Sequence, residues 1–201
     1  MTLLEERPAE TLREACIPVL ETERLILRAP RLEDAKAMAT LANDRRIAEN
    51  TSRIPHPYTL ADAESFIAWA NGPAGETAFV IALSEDDTLV GGCGFGVVEG
   101  DTPELGYWLG APYWGKGYAT EAVRAAVDYA FTEGGYEFIN AGARVTNPTS
   151  RRVLEKCGFQ WTGVGLYRIR AIASSAPIDR FRLERRIWDS LRSWREVRRV
   201  A

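Results

Sequence analysis

The sequence predicts an α+β domain built on a mixed sheet, and three features of the residue pattern carry that prediction. Strand-like runs arrive in clusters and not singly between helices, two stretches of helical spacing follow the first run, and one long helical pattern is followed by a single strand and a single helix before the last strands. A doubly wound fold would alternate strand and helix throughout.

Residues 21–29 (ETERLILRA) alternate, with Leu25 and Leu27 on one face and Ile26 on the other, and read as the first strand. Within residues 33–43, Ala35, Met38, Ala39 and Ala42 sit at helical spacing, and Thr59-Leu60-Ala61-Asp62 resembles a capping box ahead of Ala63, Phe66, Ile67 and Ala70. Two helices therefore follow the first strand. Between them Pro55 and Pro57 hold residues 53–58 extended, as a loop able to border a cleft. Residues 77–83 and 89–98 read as a hairpin across the acidic turn 84–87, and residues 103–109 add to it. The clearest helix spans residues 117–131, where Ala119, Ala122, Val123, Ala126, Val127 and Ala130 form one stripe that ends at Gly134-Gly135. Because that stripe is mostly alanine, the helix axis can lie close to a sheet and bring its N-terminus to a ligand. Residues 137–145 read as a strand, Asn147-Pro148 as the N-cap and first-turn proline of a helix closing at Gly158, and residues 159–172 and 179–188 as a last pair of strands separated by a loop at 174–177.

A chain of 201 residues with 46% apolar content suits one globular domain, which we divide into a polar extension (1–18), the domain proper (19–188) and a tail rich in arginine and tryptophan (189–201). In that tail Ile187, Trp188, Leu191, Trp194 and Val197 have helical spacing, as expected of a helix packed by its tryptophans. With 25 basic against 28 acidic side chains the net charge is −3, so no broad positive field exists for a nucleic-acid backbone and any anion site must be local. The cysteines Cys16, Cys93 and Cys157 are far apart, which argues against a disulfide framework or a zinc cluster, and no metal is expected. The lone histidine, His56, sits between two prolines with no acid nearby and does not suit a hydrolase triad. No signal-peptide core and no run of about 18 apolar residues is visible. The expectation is a cytoplasmic protein without a membrane partner, a monomer or homodimer.

The chemistry concentrates where a strand runs through a glycine-containing loop into the long helix, Gly110-Ala111-Pro112-Tyr113-Trp114-Gly115-Lys116-Gly117-Tyr118-Ala119-Thr120. Gly115 and Gly117 allow several N–H groups to point into one concavity, the helix N-terminus adds partial positive charge, and Lys116 can add a whole one. A pyrophosphate suits such a loop, although it is too short for a Walker loop and lacks the third glycine of the dinucleotide fingerprint. About 30 residues later comes Arg144-Val145-Thr146-Asn147-Pro148-Thr149-Ser150-Arg151-Arg152-Val153-Leu154-Glu155-Lys156-Cys157-Gly158-Phe159, and near the start stands Leu20-Glu21-Thr22-Glu23-Arg24-Leu25-Ile26-Leu27-Arg28. Together the three blocks resemble the GNAT superfamily of acetyl-coenzyme A-dependent N-acyltransferases, in particular its branch of ribosomal-protein N-terminal (alanine or serine) acetyltransferases.

That resemblance covers residues 19–188 and implies a central mixed, mostly antiparallel, splayed sheet flanked by helices. It implies that the loop from Trp114 through Gly115, Lys116, Gly117, Tyr118 and Ala119 to Thr120 grips the coenzyme A pyrophosphate, that Leu109 and Gly110 meet the pantetheine arm through their backbone, and that Asn147 reaches the arm with its amide. Pro112 departs from the family's usual glutamine or arginine. By the same resemblance the acceptor lies between the first helices and the last strands, with His56 and Tyr58 on one rim and Tyr167 on another.

Alternation places Glu104, Gly106 and Trp108 on one strand face, and Glu104 is the carboxylate best placed to act as base. The tyrosine that protonates the departing thiol in many members is missing here, where Leu154 and Glu155 stand; Ser150 matches the serine suggested as its substitute in the N-terminal-acetylating branch. The expected activity is direct transfer of acetyl from acetyl-coenzyme A to a primary amine such as a protein N-terminus, without a covalent enzyme intermediate. Two alternatives stand beside it: acetylation of a small-molecule amine, and a non-catalytic acyl-coenzyme A sensor.

Overall fold

Eight strands form one mixed sheet in the order β1-β2-β3-β4-β5-β6-β8-β7 in the computed structural model, which describes residues 17–72, 76–97 and 102–199. The strands are β1 Leu20–Glu21, β2 Leu25–Arg28, β3 Thr77–Leu83, β4 Leu89–Val97, β5 Pro103–Leu109, β6 Phe138–Arg144, β7 Gln160–Ile169 and β8 Ser174–Glu184. The helices are α1 Ala35–Ala42, α2 Arg45–Ala48, α3 Leu60–Ala70, α4 Tyr118–Thr132, α5 Pro148–Lys156 and α6 Arg185–Arg199. Every strand pair is antiparallel except β5 with β6. Residues 1–16, and with them Cys16 and most of the polar extension, lie outside the described residues, as do Val98 at the expected end of β4 and the side chain of Val197.

The α4 stripe behaves as its composition requires. Ala122, Val123, Ala126 and Ala130 have no exposed surface and pack, with Leu154 of α5 and Trp188 of α6, on Leu25, Leu27, Phe79, Ile81, Phe95, Leu105, Ile139 and Leu183 of the sheet. On the opposite face α1 and α3 bury Met38, Ala63 and Ile67 against Val80, Leu89 and Trp108, so this smaller cluster sits over the β3 to β5 side. Beneath it Arg28 and Asp34, 4% and 7% exposed, form a two-pronged ion pair at 2.8 and 3.0 Å.

Four sequence expectations change. The first strand is broken, because the Thr22 hydroxyl accepts the Leu25 amide and the Thr22 amide donates to the Leu25 carbonyl, each at 2.9 Å, which folds β1 back onto β2. A third short helix, α2, follows α1, started by the Asp44 side chain accepting from the Arg46 amide; four residues are too few to show a period. Residues 174–177, expected as a loop, open β8 and pair with β7. Pro177 is tolerated there because the β6 ladder begins only at Ile178, so its missing N–H interrupts no rung. Residues 185–188, expected to be strand, begin α6, where Trp188 donates to Asp128 of α4 at 2.6 Å.

One departure from regularity positions everything that follows. The parallel pair β5–β6 is limited to Glu104↔Asn140 and Leu105↔Ala141, after which the strands diverge.

Candidate active site

The divergence opens one edge of β5. The Gly110 amide donates to the Val90 carbonyl at 2.9 Å, which fixes the parity: Gly106 and Trp108 turn their backbone groups to β4, and Leu105, Tyr107 and Leu109 turn theirs to the gap. Beyond Leu105 no strand among the described residues fills that gap, so the amides of Tyr107 and Leu109 face it. The Leu109 carbonyl accepts the Trp114 indole N–H at 2.7 Å, and both Gly110 groups are engaged, its carbonyl with the Tyr113 amide. Tyr107 and Leu109, not Gly110, therefore present the donors.

At the end of β5 the chain makes a 3-10 turn, Ala111–Tyr113, and enters α4 through Gly115 (φ 74°) and Gly117 (φ 84°), left-handed conformations that only glycine adopts readily. The N–H groups of Tyr118, Ala119 and Thr120 are first-turn donors without intrahelical partners, and the Lys116 ammonium lies 5.5 Å from the Tyr113 ring centre. This is a concave set of donors at a helix N-terminus, suited to a diphosphate. A brace that sequence reading missed holds it in place. Arg24 donates to Glu121 at 2.8 Å and to the Lys116 carbonyl at 3.0 Å while stacking over Tyr118, and Thr22 donates to Glu121 at 2.7 Å. Burial opposes ionisation of Glu121, but the bonds from Thr22 and Arg24 outweigh it and hold its carboxyl below the usual range. Only folding brings these residues together from nearly 100 positions apart, so no local signal marked them.

Glu104 stands at the mouth of the gap, on the face opposite the large core, and accepts the Tyr167 hydroxyl at 2.9 Å. Burial pushes its carboxyl above the ordinary carboxylate range, while Tyr167 and the charges of Arg53 and Arg180 pull it back. On the other face Asn147 caps α5 by accepting the Ser150 amide at 3.1 Å, which leaves its NH2 for another partner. The Ser150 hydroxyl lies 2.8 Å from that of Tyr107, which also donates to the Ser150 carbonyl at 3.1 Å. Alternation puts Tyr107 on the strand face opposite Glu104, and only the need of a buried phenol for a polar partner could have singled it out. Burial pushes its hydroxyl well above the usual range. Of the two residues that stand where that tyrosine was expected, Leu154 is fully buried and Glu155 is exposed.

Glu104, Tyr107, Ser150, Tyr58 and Tyr167 all line one cleft of about 1640 Å³ between the α1–α3 side and the β7–β8 hairpin. Gly92, Gly94, Gly96 and Gly106 also line it. Arg53, Ile54 and Pro55 form its rim, whereas His56 is exposed and not part of the wall. Tyr58 is buried against α1 and α3, which pushes its hydroxyl up to about 12. Cys93 and Cys157 are both buried, the Cys157 thiol donating to the Thr120 carbonyl, and burial pushes the Cys93 thiol up to about 12. Among the described residues no group of His, Cys, Asp and Glu could hold a metal ion, and no helix is long and apolar enough to cross a membrane.

Comparison with known proteins agrees with this geometry. Residues 24–160 match the family model described as an acetyltransferase (GNAT) domain. The chain is 34% identical over 150 residues to the uncharacterized N-acetyltransferase p20 of Bacillus licheniformis, covering 72% of this chain and 84% of that protein. Among solved structures it resembles a GNAT-family acetyltransferase from Bacillus anthracis (TM-score 0.73, 25% identity, 84% of this chain and 99% of the other). It also shares the fold of the ribosomal-protein-S5-alanine acetyltransferase of Vibrio fischeri (TM-score 0.71, 19% identity, 85% and 98% covered).

Proposed function

The chain belongs to the GNAT acetyltransferase family and is an acetyl-coenzyme A-dependent N-acetyltransferase, and from that premise we propose that its acceptor is the terminal amine of a protein or peptide in the cytoplasm. The observation that carries the reading is the continuity of β5, which links the donor-rich loop, the open strand edge and Glu104. Leu109 lies five residues beyond Glu104 on β5, about 17 Å at strand spacing. A donor anchored by its phosphates at Trp114 to Thr120 reaches Glu104 only through a long extended arm, and the free amides of Tyr107 and Leu109 suit an arm that pairs like an added strand.

Acetyl-coenzyme A supplies an activated acetyl thioester. The chain's residues do the rest: Gly115, Lys116, Gly117 and the first turn of α4 hold the diphosphate, the Asn147 NH2 meets an amide of the arm, and the amides facing the gap stabilise negative charge developing on the acyl oxygen. Glu104 accepts the proton from the incoming amine, directly or through water, and the Ser150–Tyr107 hydroxyl pair donates towards the departing sulfur. The cleft is lined by Tyr107 and Ser150, at the donor's thioester end, and also by Tyr58 and Tyr167, and the part towards the β7–β8 hairpin offers a place for the first residues of a peptide. The shared fold with the Vibrio fischeri protein is consistent with this class.

Calorimetry with acetyl-coenzyme A, followed by thiol release over a panel of peptides and small amines, tests the reading. Donor binding with turnover of peptides is expected. Turnover of small amines alone would refute the acceptor assignment, and donor binding without any turnover would make the protein a sensor.

A further inference from the structure

The cleft is more basic than the chain that builds it. Six arginines line it, Arg53, Arg144, Arg168, Arg170, Arg180 and Arg182, with only three carboxylates, Asp62, Glu76 and Glu104. That excess of three positive charges lies inside a protein of net charge −3. The three carboxylates offset only part of it: Glu76 is held by Arg53, Asp62 caps α3 through Thr59 and feels Arg170, and Glu104 feels Arg180. The remaining five arginines form no ion pair among the described residues.

Neutral supports hold three of them instead. Arg180 stacks 5.6 Å from the Tyr167 ring centre and lies over Gly165, where a Cβ would collide with its guanidinium. Arg182 sits 3.6 Å from the Phe138 ring centre, and Arg144 donates to the Glu49 carbonyl at 2.8 Å. The Nε atoms of Arg144 and Arg182 are buried and unbonded. Aromatic faces, a glycine bed and a carbonyl orient a guanidinium without neutralising it, so the positive potential is left for a ligand.

Resting on the acceptor assignment above, we infer that the enzyme selects N-terminal segments carrying carboxylates in the residues just after the reacting amine. The same field disfavours the ammonium form of the acceptor amine and so presents the neutral, nucleophilic form to Glu104. Carboxylates further along the segment meet the arginines on β7, β8 and the turn between them, while a polycationic acceptor is repelled.

The test uses the full-length protein saturated with coenzyme A and three peptides alike except for two glutamates, two glutamines or two lysines at positions two and three. Binding is read by fluorescence anisotropy, and acetylation by thiol release with acetyl-coenzyme A. The glutamate peptide is expected to bind about tenfold more tightly than the glutamine peptide, with the lysine peptide weakest and the margin shrinking at high salt. The exposed pair Arg168→Gln and Arg170→Gln together should reduce that margin to about threefold while leaving donor affinity, measured by calorimetry, in place. Equal or tighter binding of the glutamine or lysine peptide overturns the inference, whatever its turnover. Tight binding of the glutamate peptide without its acetylation would leave charge selection standing and remove the acceptor assignment.

Discussion

Replacing Glu104 by glutamine removes the basic oxygen while keeping a carbonyl to accept the Tyr167 hydroxyl, now 2.9 Å away, so the local fold should persist. The expected loss follows from what the base must do. A positioned general base contributes about 10² to 10⁴ in rate, but an α-amine of pKa about 7.8 needs only about 1 kcal/mol to lose its proton at pH 7. The lower end applies, and Glu104→Gln should reduce kcat/KM about 100-fold at pH 7. Acetyl-coenzyme A affinity should hold, because the phosphate loop lies beyond the far end of β5. Raising the pH above the amine's own pKa should narrow the deficit, since solvent then does the work of the carboxylate. Thiol release at saturating donor, with calorimetry alongside, reads both quantities. A variant within threefold of wild type at pH 7, with donor affinity intact, would show that Glu104 is not the base.

Stability gives a second view of the same side chain. Burial raises the folded carboxyl above its unfolded value, so its contribution to stability is complete below the ordinary carboxylate range and is lost as pH rises through the folded value. Glu104→Gln should accordingly melt higher than wild type at pH 7, with the gap closing on acidification; a gap independent of pH in thermal scans would contradict this. Because a thiol of pKa about 8.5 leaves tolerably unaided, Ser150→Ala should lower kcat by no more than about tenfold. Tyr107→Phe should act alike, and the double variant should be no worse than the poorer single one, since the two hydroxyls work as a pair at 2.8 Å; additive losses would separate them. Asp34→Ala leaves buried Arg28 with only Asp87, and a cost of about 3 kcal/mol is expected in urea unfolding. A cost below about 1 kcal/mol would mean that Asp87 alone suffices.

What could be read from the sequence was what lies close together along it. The α4 stripe, the Thr59 and Asn147 caps and the glycine pair before α4 are each contained in a dozen residues, and each is where local spacing put it. The face alternation of β5 was equally legible: it put Glu104, Gly106 and Trp108 together, and Leu105 and Leu109 are the residues buried on the opposite face. The errors came where side chains override local pattern: the Thr22 hydroxyl breaks a strand, and Pro177 survives in β8 because of where another ladder begins. The Arg24–Glu121 brace, the Tyr107–Ser150 pair and the arginine lining were not legible, since each depends on residues that only the sheet order makes neighbours.

The thin junction between β5 and β6 has a mechanical consequence. Two rungs join a block of five strands to a block of three, leaving unused amides along one side of the seam. A strand-like molecule laid into the seam would lend it the missing rungs and tie the two blocks together. Occupancy and stiffness are then a single property of this protein: the donor completes the scaffold that orients it, and amide exchange at Tyr107 and Leu109 should slow once it is seated.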